Sequence, residues 1–409
     1  MATNIESTLD FKNDRDATLK LIDWFEIDRV RAAKIMVVGA GAIGNEVLKN
    51  LALLGIGHIY IVDRDTIEMS NLSRSILYRA EDAGKLKAEA AAQAVHQINP
   101  NVNVIWQNGD IRLDVGLGLL RRMDVVIGCL DNRHARMAIN RKCWKVNRPW
   151  VDAGISVLDG QVAAFRPGQG GCYECSFTRQ EYEQVTVPCS RLTSIYAREG
   201  KIPTTPTIAS LVAAVQVQEA LKLLDPHRWE DRNLIGKEFI FHGTTARVEI
   251  FRRPFNANCL AHSLIDPATI IEMPENRANN TTAAQLIARA RQQLGATAHL
   301  ALNFDLIVER RCSNCGIITR FLRPFDRVYF EELQCDQCGR QGWETLTKNL
   351  GLEVQDYKED FLDLPLSELG VPPLDILRAY GEGGKQINFE LTGDTAHVLD
   401  FGPENYVQQ

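Results

Sequence analysis

Three glycines and the polar residues after them, in the stretch Lys34 to Arg74 (KIMVVGAGAIGNEVLKNLALLGIGHIYIVDRDTIEMSNLSR), have the types and spacing to hold a nucleotide. A short apolar run, Ile35 to Val38, enters Gly39, Gly41 and Gly44, and an amphipathic segment follows from Asn45 to Leu54. Read as strand, tight turn and helix, this offers unpaired N–H groups to an anion. Gly39 permits the turn, Gly41 lets the backbone approach a phosphate, and Gly44 lets helix and strand pack closely. A second apolar run, His58 to Val62, delivers Asp63 about 20 residues after the glycines, where such folds put an acid on the ribose hydroxyls.

Two features depart from a dehydrogenase. DRDTIEMSNLSR places Asp65, Glu68, Asn71 and Arg74 just after the Asp63 strand, and Lys87 follows on the next helix. A dinucleotide pyrophosphate is satisfied largely by the helix N-terminus. Cleaving ATP between its α- and β-phosphates needs positive charge on the leaving pyrophosphate and a carboxylate for magnesium. Asp131, at the end of MDVVIGCLDN, is a candidate for that carboxylate. The alternative for Arg74 and Lys87 is a solvated helix face.

The cysteines suggest a second kind of chemistry. Six of the ten fall in Cys-x-x-Cys doublets, which in a cytosolic chain favours metal over cystines. Cys312 and Cys315 with Cys335 and Cys338 are two knuckles at zinc-ribbon separation. Cys172 and Cys175, with the later Cys-x-x-His of Cys259 and His262, complete a second tetrahedral set. The alternatives are a core Cys259 with a surface His262, and a partition of the eight ligands that shares metal between clusters. Cys129 and Cys143 read as core thiols. Cys189 lies in a polar, Pro-bearing segment near Arg191, Arg198 and Lys201, which favour a thiolate.

The elements that must position these residues follow from pattern. Leu19 to Ala33 reads as an amphipathic helix, Ala80 to Pro100 as a helix, Asn103 to Gln107 as a strand, and Met123 to Asn132 as a buried strand. A helix (HARMAINRKCWKV) and a strand (PWVDAGI) come next. Strands alternating with helices predict an α/β fold with a doubly wound, Rossmann-like, mainly parallel sheet and ligands at the strand carboxyl ends. Further on, Thr281 to Gly295 reads as a helix, the runs around the ribbon and QINFELTG as strands, and GLEVQDYKEDFLDLPLSELGVPPLDILRAY as a loop with a short helix. A length of 409 residues suggests two or three domains. The net charge of −6 and pI near 5.8 argue against nucleic acid or an anionic membrane as the main partner. The polar, acidic N-terminus is unlike a secretory signal, and no apolar run is read as approaching the ~20 residues of a membrane span, so the expected location is the cytoplasm.

Five motifs in order, GAGAIGNEVLKNLALLGIG, VDRDTIEMSNLSR, AGKLKAEAAA, GCLDNRHARMAINRKC and PTTPTIASLVAAVQVQEALKLL, resemble those of the ThiF/MoeB and ubiquitin-activating-enzyme superfamily over roughly residues 30 to 262. The resemblance implies that ATP and magnesium adenylate the C-terminal glycine of a small ubiquitin-fold protein. It would put Gly39, Gly41 and Gly44 on the nucleotide, Asp63 on its ribose, Asn71, Arg74 and Lys87 on its phosphates, and Asp131 on magnesium. Relatives carry a second Cys-x-x-Cys where Cys259 and His262 stand, which supports that zinc grouping. Two departures stand out: Ser75 follows Arg74 where the family commonly has Gln, and no Arg-x-x-Arg-Gln string precedes the first strand. Arg15 is the candidate for the arginine that enters a partner's site, with a plain surface arginine as the alternative.

Cys189-Ser190, ahead of the Thr-Thr-Pro-Thr helix, resembles the crossover loop of activators that carry the modifier as a thioester, with an ordinary loop thiol as the alternative. The expected organisation is an N-terminal helical arm over residues 1–33, a ThiF-type adenylation domain over 34–264 with a cysteine crossover loop at about 176–205, and a small α+β zinc-ribbon domain over 265–409 that would recruit a conjugating enzyme. One nucleotide fold per chain implies a homodimer. The expected function is ATP-dependent activation of a ubiquitin-like protein, thioester formation on Cys189 and transfer to a conjugating enzyme. The alternatives are a sulfur-carrier adenylyltransferase of MoeB/ThiF type, or a tRNA- or peptide-modifying relative, without the enzyme thioester, and a non-catalytic scaffold that binds nucleotide and zinc.

Overall fold

The structure is a computed structural model that describes residues 10–178, 180–182, 204–328, 334–348 and 360–400. Its centre is an eight-stranded sheet in the order β3-β2-β1-β4-β5-β6-β7-β8. The strands are β1 (Lys34–Val38), β2 (His58–Asp63), β3 (Asn103–Asn108), β4 (Val125–Gly128), β5 (Trp150–Ile155), β6 (Gly160–Phe165), β7 (Lys237–His242) and β8 (Arg247–Arg252). The first five are parallel, and β6 to β8 add antiparallel strands at one edge. Val38 is level with Val62 on one side and Gly128 on the other. The glycine turn, Asp63 and the turn to Asp131 therefore leave one edge of the sheet side by side, at the reversal of strand order where such sheets bind ligands.

Burial on both faces explains the unbroken apolar strands. In β1, Ile35 and Val37 face one core while Met36 and Val38 face the other, none more than 2% exposed. The first core is closed by helices α2 (Ala42–Leu54), α3 (Lys87–Ile98) and α6 (Pro206–Leu224). The second is closed by α4 (Leu117–Arg121) and α5 (Arg133–Lys145), and also by Leu374, Ile376 and Val398 from the C-terminal part.

That C-terminal part holds a four-stranded sheet, order β10-β14-β15-β9, and a three-stranded sheet, order β12-β11-β13. Its strands are β9 (Ile270–Glu272), β10 (His299–Ala301), β11 (Leu306–Cys312), β12 (Ile318–Pro324), β13 (Trp343–Lys348), β14 (Ile376–Tyr380) and β15 (Gln386–Glu390). Helix α7 (Ala283–Leu294) packs on the larger sheet, capped by the Thr282 hydroxyl, which accepts from Gln285 N. Charge fastens this part to α4. Glu390, with no exposed side-chain surface, meets Arg121 Nη2 at 2.5 Å and also Arg122, and Asp375 Oδ1 accepts from Leu117 N at 2.8 Å.

Three elements differ from the sequence reading. Leu19 to Ala33 is not one helix but a 3-10 turn, Leu19–Leu21, and the short α1, Ile27–Ala32. Trp24 leaves the helical path to meet Trp229 edge-on at 5.5 Å while Phe25 enters the core, and a segment this short yields to such packing. DILRAY, read as loop or helix, is largely strand β14, paired on both sides by β10 and β15. The expectation of no span-like apolar run also fails. α6 has 19 residues and is long and apolar enough to cross a membrane by length and composition. Ten of its residues are buried, Gln216 and Glu219 among them, and it lies against α2 and the sheet, so here it serves as a core helix.

Candidate functional site

The glycines occupy the site for three separate reasons. Gly39 has φ +96°, and a Cβ there would stand 2.5 Å from the Cys129 carbonyl oxygen, which brings the turn after β4 against the glycine turn. A Cβ on Gly44 would stand 2.0 Å from the Gly39 carbonyl oxygen, so α2 seats on its own turn only without a side chain. At Gly41 a Cβ would meet nothing within 4 Å. Among the described residues, no protein atom requires a glycine at that position. It opens onto the start of a 13-residue helix, a cradle that suits a phosphate.

Asp63 closes the mouth of that cradle. Its Oδ2 accepts from Ala40 N at 2.6 Å and its Oδ1 from Asp65 N at 2.8 Å, while burial pushes its carboxyl above the usual range. Lys87, the first residue of α3, is tied twice to Asp65: its N–H donates to the Asp65 carbonyl and its Nζ lies 2.9 Å from Asp65 Oδ2. Asp131 is exposed, just before the α5 N-cap, and accepts from Asn132 Nδ2 at 3.3 Å. Gly39, Gly41, Gly44, Asp63, Asp65, Lys87 and Asp131 thus share one edge of the sheet.

Asn71 and Arg74 lie on the excursion between β2 and α3, turned to local partners. Asn71 is 8% exposed, and its Oδ1 accepts from Glu68 N at 3.0 Å, while Arg74 Nη1 donates to the Ser70 carbonyl at 2.9 Å. Ser75 is buried. Arg15 donates to the carbonyl of Ile98, at the opposite end of α3 from Lys87. Cys189 lies outside the described residues.

Two residues that the sequence reading passed over bind this edge together. Asn45, with no exposure, donates from Nδ2 to the carbonyls of Ala40 and Gly41 and accepts from Leu77 N at 2.9 Å. The Tyr78 hydroxyl lies 2.6 Å from the Ala40 carbonyl oxygen and 3.2 Å from that of Lys87. Asn45 carried a signal in sequence, being an amide on the buried side of an apolar helix. Tyr78 carried none.

The two cysteine groupings also assemble. Cys172, Cys175, Cys259 and His262 place their ligand atoms within 4.8 Å of one another, and so do Cys312, Cys315, Cys335 and Cys338. The Sγ separations of 3.6 Å for Cys172 to Cys259 and 3.7 Å for Cys312 to Cys338 are close to the roughly 3.8 Å that two thiolates adopt around a tetrahedral zinc at about 2.3 Å. Each group thus offers one four-coordinate donor set, with no sharing between clusters. His262 stacks on Trp144 with ring centroids 3.9 Å apart, so its ring is oriented within the cluster.

The model of the ThiF family matches residues 13–261. The chain belongs to the ThiF family. Within this ThiF chain, 149 residues are 41% identical to SUMO-activating enzyme subunit 2 of Dictyostelium discoideum, covering 36% of the chain and 22% of that relative. Another 35% identity over 162 residues links it to the adenylyltransferase and sulfurtransferase MOCS3 of Mus musculus, covering 40% of the chain and 35% of the relative. The ThiF chain therefore matches only about a fifth to a third of the length of these two relatives. Its fold is shared with the crystal structure of E. coli MccB with ATP, at TM-score 0.53 and 22% identity, over 64% of this chain and 76% of MccB.

Proposed function

We propose that this ThiF-family chain activates a ubiquitin-like protein with ATP. The observation that carries the reading is the Lys87–Asp65 pair held beside the glycine cradle, in register with the turn that bears Asp131. The likeness to the SUMO-activating subunit supports the same assignment. The substrate's terminal carboxylate attacks the α-phosphorus of ATP, the bond to the bridging oxygen breaks, and pyrophosphate leaves with the electron pair. Positioning and charge do this work, without a protein nucleophile. Gly41 and the α2 N-terminus receive phosphate, Asp63 faces the ribose, and Lys87 is released from Asp65 to the phosphates, joined by Arg74 and Asn71 once they turn from Ser70 and Glu68. Asp131 would hold magnesium, which neutralises developing phosphate charge when bound.

In the second step the Cys189 thiolate attacks the acyl carbonyl, AMP leaves, and a thioester forms for transfer to a conjugating enzyme. The length of chain leading to Cys189 permits this step. Glu181 Oε1 lies 3.4 Å from Arg133 Nη1, two residues from Asp131, and Cys189 is eight residues beyond Glu181, within a chain reach of about 28 Å. Zinc would fill both four-donor clusters, and the chain would work as a homodimer in the cytoplasm. The likeness to MOCS3 favours a second reading, a sulfur-carrier adenylyltransferase that stops at the adenylate.

The test is ATP–pyrophosphate exchange with a ubiquitin-fold protein ending in glycine. Asp131→Ala is expected to lower exchange at least 100-fold, and unchanged exchange would remove the magnesium assignment. Cys189→Ala should keep exchange but lose a thiol-sensitive adduct. Exchange without any adduct in the unaltered chain would select the sulfur-carrier reading.

A further inference from the structure

Asp131 is exposed and, among the described residues, has one weak hydrogen-bond partner, Asn132, so its position depends on the backbone beneath it. That backbone is gripped at successive points. Cys129 N donates to the Val38 carbonyl at 2.8 Å. The Gly128 carbonyl accepts from Gln216 Nε2 at 2.9 Å, across from α6. The Leu130 carbonyl, directly before Asp131, accepts from Arg136 Nη2 at 2.6 Å. The same Nη2 donates to the Ala153 carbonyl of β5 at 2.8 Å, so one nitrogen joins the turn to the sheet.

A buried guanidinium is an expensive way to hold two carbonyls, and it needs a counter-charge. Asp152 supplies one. The two side chains are 14% and 5% exposed, and Arg136 Nε lies 3.4 Å from Asp152 Oδ1. Among the described residues neither of those two atoms has a hydrogen-bond partner, so the pair acts through charge and leaves the Nη2 donors to the carbonyls. A lysine has the charge, but its ammonium ends one bond short of Nη2, the nitrogen that meets both carbonyls.

Resting on the adenylation reading above, we infer that Arg136, balanced by Asp152, is the positioning residue that sets Asp131 to receive a divalent cation with ATP. Arg136 touches neither nucleotide nor cation. It acts by fixing the Leu130 carbonyl, and so the direction in which the chain leaves for Asp131.

The experiment compares the full-length chain with Arg136→Gln, Arg136→Lys and Asp131→Asn. ATP affinity is measured in EDTA and again with magnesium, and manganese bound alongside ATP is read by electron paramagnetic resonance. The expected result is that both Arg136 variants bind metal-free ATP within about twofold of the unaltered chain but lose at least tenfold of the gain that magnesium gives. Their manganese signal should be weakened and broadened, and Lys should recover little. Thermal melts separate this from unfolding; should the Gln variant fail to fold, the Lys variant, which retains the charge opposite Asp152, carries the test. A full magnesium response in folded Arg136 variants, with Asp131→Asn defective, overturns this inference alone. A full response in Asp131→Asn overturns the metal role of Asp131 and this inference with it.

Discussion

Asn140 Nδ2 lies 3.4 Å from Cys172 Sγ and 3.0 Å from Glu174 Oε1. The helix that starts beside Asp131 is thereby fastened, two turns later, to a metal-ligand cluster. Arg141, the next residue, grips Glu174 with Nη2 at 2.7 Å, although the Glu174 side chain has no exposed surface. Cluster and helix are one mechanical unit.

Metal removal is therefore expected to reach the nucleotide edge. Elemental analysis is expected to find two zinc ions per chain, falling to one in Cys259→Ser. Asn140→Ala, which deletes the donor to a ligand sulfur, should lower zinc affinity about 10-fold or more at one site only. Hydrogen exchange in α5 should accelerate when that site is emptied by a chelator. Protection equal to that of the loaded chain would contradict the coupling.

The glycines offer a clean contrast. Gly41→Ala places its methyl in open space, so melting is expected to shift little while ATP affinity falls at least tenfold. Gly44→Ala drives a methyl onto the Gly39 carbonyl and is expected to cost about 3 kcal/mol or more of stability. Titration calorimetry and thermal melts on both variants decide it. Equal behaviour of the two would refute the separate roles.

Asp152 sets a pH dependence. Burial pushes its carboxyl from 3.8 to about 6, so between those values the folded chain holds a proton that the unfolded chain has lost. Through this group stability is greatest in acid and declines as pH rises to about 6, by about 3 kcal/mol in all. Asp152→Asn has no proton to lose and should flatten that part of the profile in denaturant melts from pH 4 to 6.5. An unchanged slope would show that another group is responsible.

The seam at Glu390 is expected to make the two sheets melt together. Glu390→Ala leaves Arg121 and Arg122 facing a buried gap and is expected to cost about 3–5 kcal/mol and to split one calorimetric transition into two. A single transition with an unshifted midpoint would count against it.

What could be read from sequence followed the range of the forces involved. The glycine turn was legible because positive φ and close approach are local demands that few residues besides glycine meet. The ribbon and the Cys259–His262 pairing were legible because ligand spacing is nearly fixed by the metal. β1 and β2 declared themselves by apolar runs buried on both faces. Arg136 with Asp152, and Tyr78 with Ala40, were not legible, since each pair depends on which strands and loops lie side by side. β14 was hidden by Pro372, Pro373 and a charged Arg378, and the span-like length of the apolar run in α6, itself expected as a helix, by polar residues whose burial only the fold explains.

The join between α4 and the C-terminal part has a further consequence. A Cβ on Gly116 would stand 2.5 Å from the Pro373 carbonyl oxygen, and Gly118 donates its N–H to the carbonyl of Leu374, itself held at φ +53°. At Gly116 backbone meets backbone with no side chain between, so this point of the seam has little tolerance for repacking. The tail is consequently not an exchangeable cassette. A chimera that took the chain beyond residue 264 from another ThiF protein is expected to need that protein's counterpart of α4 with it.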